Sequence, residues 1–271
     1  MVGRGSRLRF WASIWVALFA ASLVHAQTPP PPTSPIAAMP EACRVPGSVF
    51  VTDAKLVHAA KRVVLDKRLS IVAIGSSSTM GMGASSADAA WPARLEADLR
   101  RRLPNVAVTV QNRAKPRETA DQMAKRLAKD VLSLKPDLVV WETGTADAVR
   151  SIDLDQFGTT LEDGLAAIAA AKADTLLVTP QYARDTVRLI GFQPYIDAMN
   201  QAGLRHDVAI FPRYETMRHW IESGQMKLEN VPREDMTKVA DMLYDCLGRQ
   251  IARVVLRAMN LPKDFFSTPT R

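Results

Sequence analysis

The sequence predicts an α/β protein, a three-layer α/β/α sandwich built around a five-stranded parallel sheet. Five short apolar runs, rich in Val, Ile and Leu, recur along the chain after residue 68. An amphipathic, helix-length segment separates each run from the next. Parallel strands are typically this apolar because helices cover both faces of their sheet.

The predicted strands and helices alternate along the chain. The strands are LSIVAIG, VAVTVQN, DLVVWETG, DTLLVTP and DVAIFP. The helices are WPARLEADLRRRLP, ETADQMAKRLAKDVLSLKP, DLDQFGTTLEDGLAAIAAAKA, YIDAMNQAGLRH and KVADMLYDCLGRQIARVVLRAM. Ligands of such a sheet bind beyond the carboxyl ends of its strands. The loops of functional interest are therefore GSSSTMGMG, QNRAKPRE, ETGTADAVR, TPQYARD and FPRYETMRHW.

The N-terminal region predicts export. Residues 1–26 combine a basic start, an apolar stretch and small residues before a cleavage point after Ala26, which is typical of a secretory signal peptide. An uncleaved membrane anchor is the alternative. Residues 27–41 are proline-rich and predict a tether, and residues 42–271 predict one folded domain. The mature protein is then periplasmic or secreted and meets a membrane only through the signal segment.

Charge and motif content exclude several function classes. The formal charge is +7, and removal of three arginines with the signal peptide leaves +4, spread over helices that also carry acids. This charge is too small and too dispersed to predict nucleic-acid binding. The sequence has no Cys/His cluster, HExxH motif, calcium loop or phosphate-binding glycine pattern. We therefore predict no metal and no cofactor.

The two cysteines, Cys43 and Cys246, would reach an oxidising compartment through the predicted export. A disulfide between them would connect the start of the domain to its last helix. Two buried free thiols are the alternative, because the sequence does not show how close the two Cα atoms lie.

The five loops after the strands resemble, in this order, the sequence blocks of the SGNH or GDSL hydrolases, which are serine esterases and acyl transferases with a flavodoxin-like fold. The resemblance covers residues 69–257, and the GSSST form of the first block is similar to that of a group of secreted alphaproteobacterial members. It implies that Ser77 is the nucleophile, at the turn between a strand and a helix. A structural Ser/Gly-rich turn is the alternative for this loop taken alone.

Two oxyanion positions of the family are altered. The resemblance places Ala114 where the family has a glycine whose backbone N–H is a donor, and alanine keeps the N–H but not the freedom of φ. It places Gly144, Thr145 and Ala146 on the family's GTN motif, so a methyl group replaces the asparagine amide. Loss of one such donor typically costs about 100-fold to 1000-fold in rate. The neighbouring Asp147 would repel an oxyanion unless it is protonated.

The general base is a third altered position. The family's Asp-x-x-His pair precedes a Tyr-x-Cys on the last helix, and Tyr244 and Cys246 supply that anchor. Its spacing implies Asp235 at the aspartate and Lys238 at the histidine. A shifted frame gives Asp241 and Tyr244, again without a histidine. Lysine is a base only in its neutral form, which requires burial and which a nearby aspartate opposes.

Three further residues are candidates for contacts with a substrate. Gln181 and Tyr182 follow the fourth strand and either touch substrate or cap the sheet edge. His219 follows the fifth strand and is either a displaced base or a partly exposed helix residue.

The resemblance therefore implies an exported protein of ester hydrolase or O-acyl transferase ancestry with an altered triad. Its ligand would be an acylated glycan or a small ester. Two interpretations stay open. One is an active serine esterase in which Lys238 or His219 replaces the missing base. The other is an inactive pseudoenzyme that binds an acylated glycan, a lipid or a partner protein.

Overall fold

The computed structural model describes residues 39–50, 53–262 and 265. The predicted signal peptide and most of the predicted tether lie outside these residues. The described residues belong to one compact unit. None of their helices has the length and apolar composition needed to cross a bilayer.

Five parallel strands form one sheet in the order β2-β1-β3-β4-β5, which confirms the predicted fold class. The strands are Arg68–Ile74 (β1), Ala107–Asn112 (β2), Leu138–Glu142 (β3), Asp174–Val178 (β4) and Ala209–Phe211 (β5). The chain adds β2 on one side of β1 and all later strands on the other side. The strand order therefore reverses between β1 and β3, and a crevice for ligands is expected beyond their carboxyl ends.

Helices cover both faces of this sheet in the part of the chain that the structure describes. Helices α1, α3 and α10 pack on one face, and α4, α6 and α8 pack on the other. The short helices α2, α5 and α7 follow β1, β3 and β4, and α9 follows β5. Their bounds are Val57–Asp66 (α1), Ser77–Met80 (α2), Trp91–Arg102 (α3), Ala120–Asp130 (α4), Thr145–Val149 (α5), Leu154–Ala170 (α6), Arg184–Val187 (α7), Gln193–Arg205 (α8), Arg213–Glu222 (α9) and Met236–Met259 (α10).

The apolar runs explain why the sheet has two buried faces. In β1, Ile71 packs into the core beneath α1, α3 and α10, whereas the next residue, Val72, packs into the core beneath α4, α6 and α8. This alternation follows from the two-residue repeat of a strand. In β3 all five residues are buried, because β3 is the central strand.

A disulfide joins Cys43 to Cys246 on α10, as the sequence analysis predicted, with the two Cα atoms 4.9 Å apart. Both cysteines are buried. Gln250 Nε2, also on α10, donates a hydrogen bond to the carbonyl of Cys43, and Trp220 Nε1 donates one to the carbonyl of Arg44. The first described residues are therefore held by one covalent link to α10 and by side-chain hydrogen bonds from α9 and α10.

Substitution of Gly164 by alanine should lower the free energy of unfolding by about 1–3 kcal/mol. A Cβ at Gly164 would lie 2.5 Å from two ring atoms of Trp141, which fills the core under α6. The matched control is Gly158→Ala on the same helix, because nothing lies within 4 Å of a Cβ there. Replacement of that half-buried helix glycine should stabilise the protein by about 0.5–1 kcal/mol. Urea denaturation of both variants measures the difference, and equal effects would contradict this packing.

Candidate active site

A cavity of about 220 Å³ lies at the point where the strand order reverses, between the loops that follow β1 and β3. Its wall consists of three serines, two arginines, one glutamine, one threonine and two apolar residues. They are Ser76, Ser77, Ser78, Arg117, Thr145, Ala146, Val149, Arg150 and Gln181. The predicted site residues Ser77, Ala146 and Gln181 therefore meet at one cavity. This is the edge of the sheet where an open α/β fold binds its ligands.

Ser77 is the first residue of α2 and lines this cavity. Its hydroxyl oxygen accepts a hydrogen bond from the backbone N–H of Arg117, at 3.1 Å. Within the described ranges this is the one hydrogen bond of the Ser77 side chain, and no histidine, lysine or carboxylate contacts it. A serine needs an adjacent base to become a strong nucleophile. Among the described residues, therefore, no group that could activate this hydroxyl is hydrogen-bonded to it.

A buried carboxylate, Glu142 at the end of β3, holds the turn that carries Ser77. Its Oε2 accepts hydrogen bonds from the backbone N–H of Ser76 at 3.1 Å, from Ser78 Oγ at 3.3 Å and from Thr79 Oγ1 at 2.8 Å. These donors flank Ser77 on both sides along the chain. Glu142 therefore fixes the backbone on which the candidate nucleophile is mounted.

Arg213, the first residue of α9, completes this buried network. Its Nη1 lies 3.7 Å from Glu142 Oε1 and donates a hydrogen bond to Ser78 Oγ at 2.8 Å. Its Nη2 donates to Gln181 Oε1 at 3.3 Å, so the same guanidinium orients a residue of the cavity wall. The Glu142 and Arg213 side chains are 1% and 2% exposed. Water therefore screens this ion pair much less than it would a surface pair.

Close packing and the last helix also fix the loop around Ser77. A Cβ at Gly75 would lie 2.9 Å from Glu142 Oε2, so a side chain there would displace the carboxylate. On α10, the Tyr244 hydroxyl donates to the carbonyl of Met82 at 2.7 Å, and Asp241 Oδ1 accepts from the N–H of Ser85 at 2.8 Å. Burial raises the pKa of Tyr244, which keeps this hydroxyl a donor at neutral pH. Tyr244 is thus an anchor for the loop after α2.

Asp147 lies beneath the cavity and does not line it. Its carboxylate accepts hydrogen bonds from the N–H of Ala120 at 2.9 Å and from the N–H of Gly144 at 3.2 Å. Burial raises the pKa of Asp147, and the two backbone donors act in the opposite direction. Asp147 therefore connects the start of α4 to the start of α5, and the N–H of Gly144 is already engaged.

The predicted site residues Ala114, Tyr182 and His219 are among those that do not line the cavity. The N–H of Ala114 donates to Asn112 Oδ1 at 3.0 Å, so it is directed at its own loop. The hydroxyl of the buried Tyr182 donates to Glu222 Oε1 at 3.1 Å. His219 lies half-buried in the last turn of α9 and makes no side-chain hydrogen bond with a described residue. The structure does not bring these residues to Ser77.

The predicted replacement for the Asp-x-x-His pair lies at the start of α10. Asp235 immediately precedes this helix and Lys238 is in its first turn, and both are exposed. Neither side chain makes a hydrogen bond or ion pair with another residue that the structure describes. Neither lines the cavity at Ser77. The Ser–Lys dyad therefore has no preformed contact here.

Four residues of the site were missed by the sequence analysis: Arg117, Arg150, Glu142 and Arg213. Arg117 and Arg150 belong to the loops after β2 and β3, so their position next to strand ends was the available signal. Glu142 is the polar last residue of β3, and nothing local in the sequence distinguishes it from a solvated strand end. Arg213 follows β5 and carries no pattern that would indicate burial.

A larger cavity of about 500 Å³ lies along β5 and the end of α8. The described residues that line it include the carboxylates Asp53, Asp207 and Glu215 but no serine, histidine or lysine, so it offers no hydroxyl or amine nucleophile. The described residues also include no group of three or more His, Cys, Asp or Glu placed to hold a metal ion.

The strand order β2-β1-β3-β4-β5 defines the class of the chain as a flavodoxin-like α/β fold. A family model described as the non-GDSL lipase-like family matches residues 42–261. The chain belongs to this family. Among curated proteins, none matches the sequence.

Solved structures of lipolytic enzymes share this fold. A lipase/acylhydrolase from Enterococcus faecalis has a TM-score of 0.54 and 23% identity, over 68% of this chain and 94% of that one. A catalytic mutant of an acetylxylan esterase from Geobacillus stearothermophilus has a TM-score of 0.54 and 19% identity, over 72% and 95%. A two-domain esterase active on acetylated mannans has a TM-score of 0.66 and 15% identity, over 83% and 58%. These similarities show a common architecture.

Proposed function

We propose that this protein is an exported relative of the ester hydrolases that binds an acylated ligand at the Ser77 cavity without cleaving it by a Ser-His-Asp triad. The observation that carries the proposal is the environment of Ser77. Its hydroxyl lines a cavity and accepts a hydrogen bond from Arg117 N–H, yet no described side chain that could act as a base contacts it. Such a hydroxyl is suited to hydrogen bonding with a ligand.

Changes at the other positions of the family's blocks support the same proposal. Ala146 lines the cavity with a methyl group where the resemblance implies an asparagine amide. The N–H groups of Ala114 and Gly144 are both bonded to side chains of the protein. An oxyanion at Ser77 would therefore lack the preorganised donors that stabilise it in an esterase.

The fold relatives support the proposed class of ligand, and the N-terminal sequence supports the proposed export. Two of the structural neighbours are esterases that act on acetylated xylan or acetylated mannans, so an acylated glycan is the proposed ligand. The buried cystine is consistent with an oxidising compartment, the periplasm or the exterior. Mass spectrometry of the protein from a periplasmic extract tests cleavage after Ala26.

Slow hydrolysis with a relocated base is the second candidate. It is favoured by the retention of Ser77 at the turn after β1, with Arg117 N–H 3.1 Å from its oxygen. Lys238, beside Asp235, would then have to reach Ser77 through a movement of the first turn of α10. Membership of a lipase-like family supports slow hydrolysis. The environment of Ser77, which has no base hydrogen-bonded to it among the described residues, argues against it.

Hydrolysis of p-nitrophenyl acetate by the mature protein tests the two candidates. We expect the protein and its Ser77→Ala variant to give the same rate within about twofold, because Ser77 has no base. Ser133→Ala is the matched control, because Ser133 is exposed and bonded to the carbonyl of Lys129. The same samples should bind acetylated xylo-oligosaccharide in ligand-observed NMR.

A rate that falls tenfold or more in Ser77→Ala alone would overturn the binding proposal and establish a serine esterase. Lys238→Ala then identifies the base: a matching loss of kcat assigns that role to Lys238. No binding of acetylated oligosaccharide and no Ser77-dependent hydrolysis would reject both candidates.

A further inference from the structure

The cavity at Ser77 has an unbalanced positive charge. Arg117 and Arg150 line it, and none of the nine lining residues is acidic. Three carboxylates close in the chain to the lining residues are engaged elsewhere: Glu118 with Arg126, Glu142 with Arg213 and Asp147 with backbone N–H groups. Nothing within the described part of the cavity wall neutralises the two guanidinium groups.

Arg150 is oriented by neutral acceptors. Its Nη2 donates to the carbonyl of Arg117 at 2.8 Å, and its Nη1 donates to Gln122 Oε1 at 3.3 Å. Both bonds fix the plane of the guanidinium at the end of α5 without cancelling its charge. A planar guanidinium has five N–H donors, so donors remain for a ligand.

The backbone of Arg117 connects Ser77 to Arg150. Its φ is +61°, in the left-handed region that residues with a Cβ adopt at a cost. In this conformation its N–H bonds to Ser77 Oγ and its carbonyl accepts from Arg150. The Arg117 side chain makes no hydrogen bond or ion pair with any residue that the structure describes. The backbone of Arg117 therefore joins the Ser77 hydroxyl to Arg150, and the two arginines lie on either side of this hydroxyl.

The basic residues beside α4 are paired with carboxylates, unlike the two arginines of the Ser77 cavity. Beside α4, Arg126 pairs with Glu118 and Asp130, and Lys115 pairs with Asp130. Those charges are balanced within the protein. At the Ser77 cavity the counter-charge is missing, and a ligand that carries an anion would supply it.

We propose that the acylated ligand of the Ser77 cavity carries a compact oxyanion, a carboxylate or a phosphate, which binds Arg117 and Arg150. This inference rests on the proposed function and adds the charge of the ligand to it. Arginine forks bind both groups through paired charge-assisted hydrogen bonds. The Ser77 hydroxyl would then face the part of the ligand beside the anion. A cavity of about 220 Å³ has room for little more than one sugar ring with its substituents.

Binding of three matched sugars tests this charge preference by calorimetry at low salt. The probes are O-acetylated glucose, O-acetylated glucuronic acid and O-acetylated glucose 6-phosphate. We expect at least one anionic probe to bind about tenfold or more tightly than the neutral one, because it gains charge-assisted hydrogen bonds. The tighter of the two anionic probes identifies the group. At 1 M salt the advantage should shrink, because both arginines are exposed to solvent.

Single variants assign the effect to the two arginines. Arg117→Gln and Arg150→Gln should each weaken binding of the anionic probe about tenfold while changing the neutral probe less than twofold. Arg150→Lys keeps the charge but not the paired donors and should fall between. The matched control is Arg257→Gln, an exposed arginine near the end of α10. The C-terminal end of α10 packs against the start of α1, and the start of α1 contacts the first residue of β4. Arg257 therefore lies at the amino ends of the strands, whereas the cavity lies at their carboxyl ends.

The outcomes separate this inference from the function on which it rests. Equal binding of neutral and anionic probes, unchanged in the arginine variants, would overturn the charge preference and leave the binding function standing. An equal loss for all probes in the arginine variants would mean that the two residues only shape the cavity, which also overturns it. Failure of all three probes to bind would overturn both.

Discussion

Replacement of Arg213 by methionine should lower the free energy of unfolding by about 3–5 kcal/mol, because it leaves the Glu142 carboxylate buried without its cation. Both side chains are almost fully buried, and Arg213 also donates to Ser78 Oγ and Gln181 Oε1. The variant therefore loses these bonds as well as the ion pair. Urea denaturation followed by circular dichroism measures the loss.

A matched surface variant and a double variant make this test specific. Lys125→Met breaks an ion pair with Asp121 in which the side chains are 73% and 36% exposed, and it should cost less than about 1 kcal/mol. Glu142→Gln combined with Arg213→Met should recover part of the loss, because no unpaired charge remains buried. If Arg213→Met costs no more than Lys125→Met, the buried pair does not stabilise the turn that carries Ser77.

Removal of the disulfide should have an effect of similar size. The Cys43→Ala, Cys246→Ala double variant should lose about 2–5 kcal/mol, because the link closes a long loop and so restricts the unfolded chain. The two cysteines are 203 residues apart in the chain, which places the expected loss toward the upper end of that range. Chemical denaturation of the oxidised protein and the double variant gives the difference.

Reductant provides the control for this comparison. Dithiothreitol should lower the denaturation midpoint of the parent protein and leave that of the double variant unchanged. Mass spectrometry of alkylated samples verifies that the cystine was reduced. A reduced parent that unfolds at the same urea concentration as the oxidised one would show that α10 and the hydrogen bonds of Gln250 and Trp220 hold the N-terminal segment alone.

The architecture was predictable from the sequence because it rests on local patterns. Each of the five apolar runs became a strand, and LSIVAI and LVVW alternate between the two cores as buried parallel strands do. The start of α4 is fixed by a local device as well, the capping box of Thr119 and Gln122, although the predicted helix began earlier, at Glu118, and ended later than α4. Local patterns do not show which residue, distant in the sequence, a given side chain contacts in the fold.

The site shows the limit of that approach. Ser77 was identified as a candidate from its position after β1. Its hydrogen bond from Arg117 N–H depends on the left-handed backbone conformation of Arg117, which no local sequence motif predicts. Spacing placed Lys238 on the family's histidine, whereas its environment at the start of α10 depends on how that helix packs. Local patterns also do not predict the Glu142–Arg213 pair, because its two residues are far apart in the sequence and each alone resembles a surface charge.

The network around Ser77 also fixes the order in which the site can be assembled during synthesis. The turn that carries Ser77 leaves the ribosome early, whereas its supports, Glu142, Arg213 and Tyr244, follow on β3, α9 and α10. A nascent chain that ends before α9 contains the serine, yet it has no guanidinium to pair with Glu142 and no hydroxyl to hold Met82. Chains emerge from N- to C-terminus, so the turn that carries Ser77 gains all of these supports only after α9 and α10 have been made.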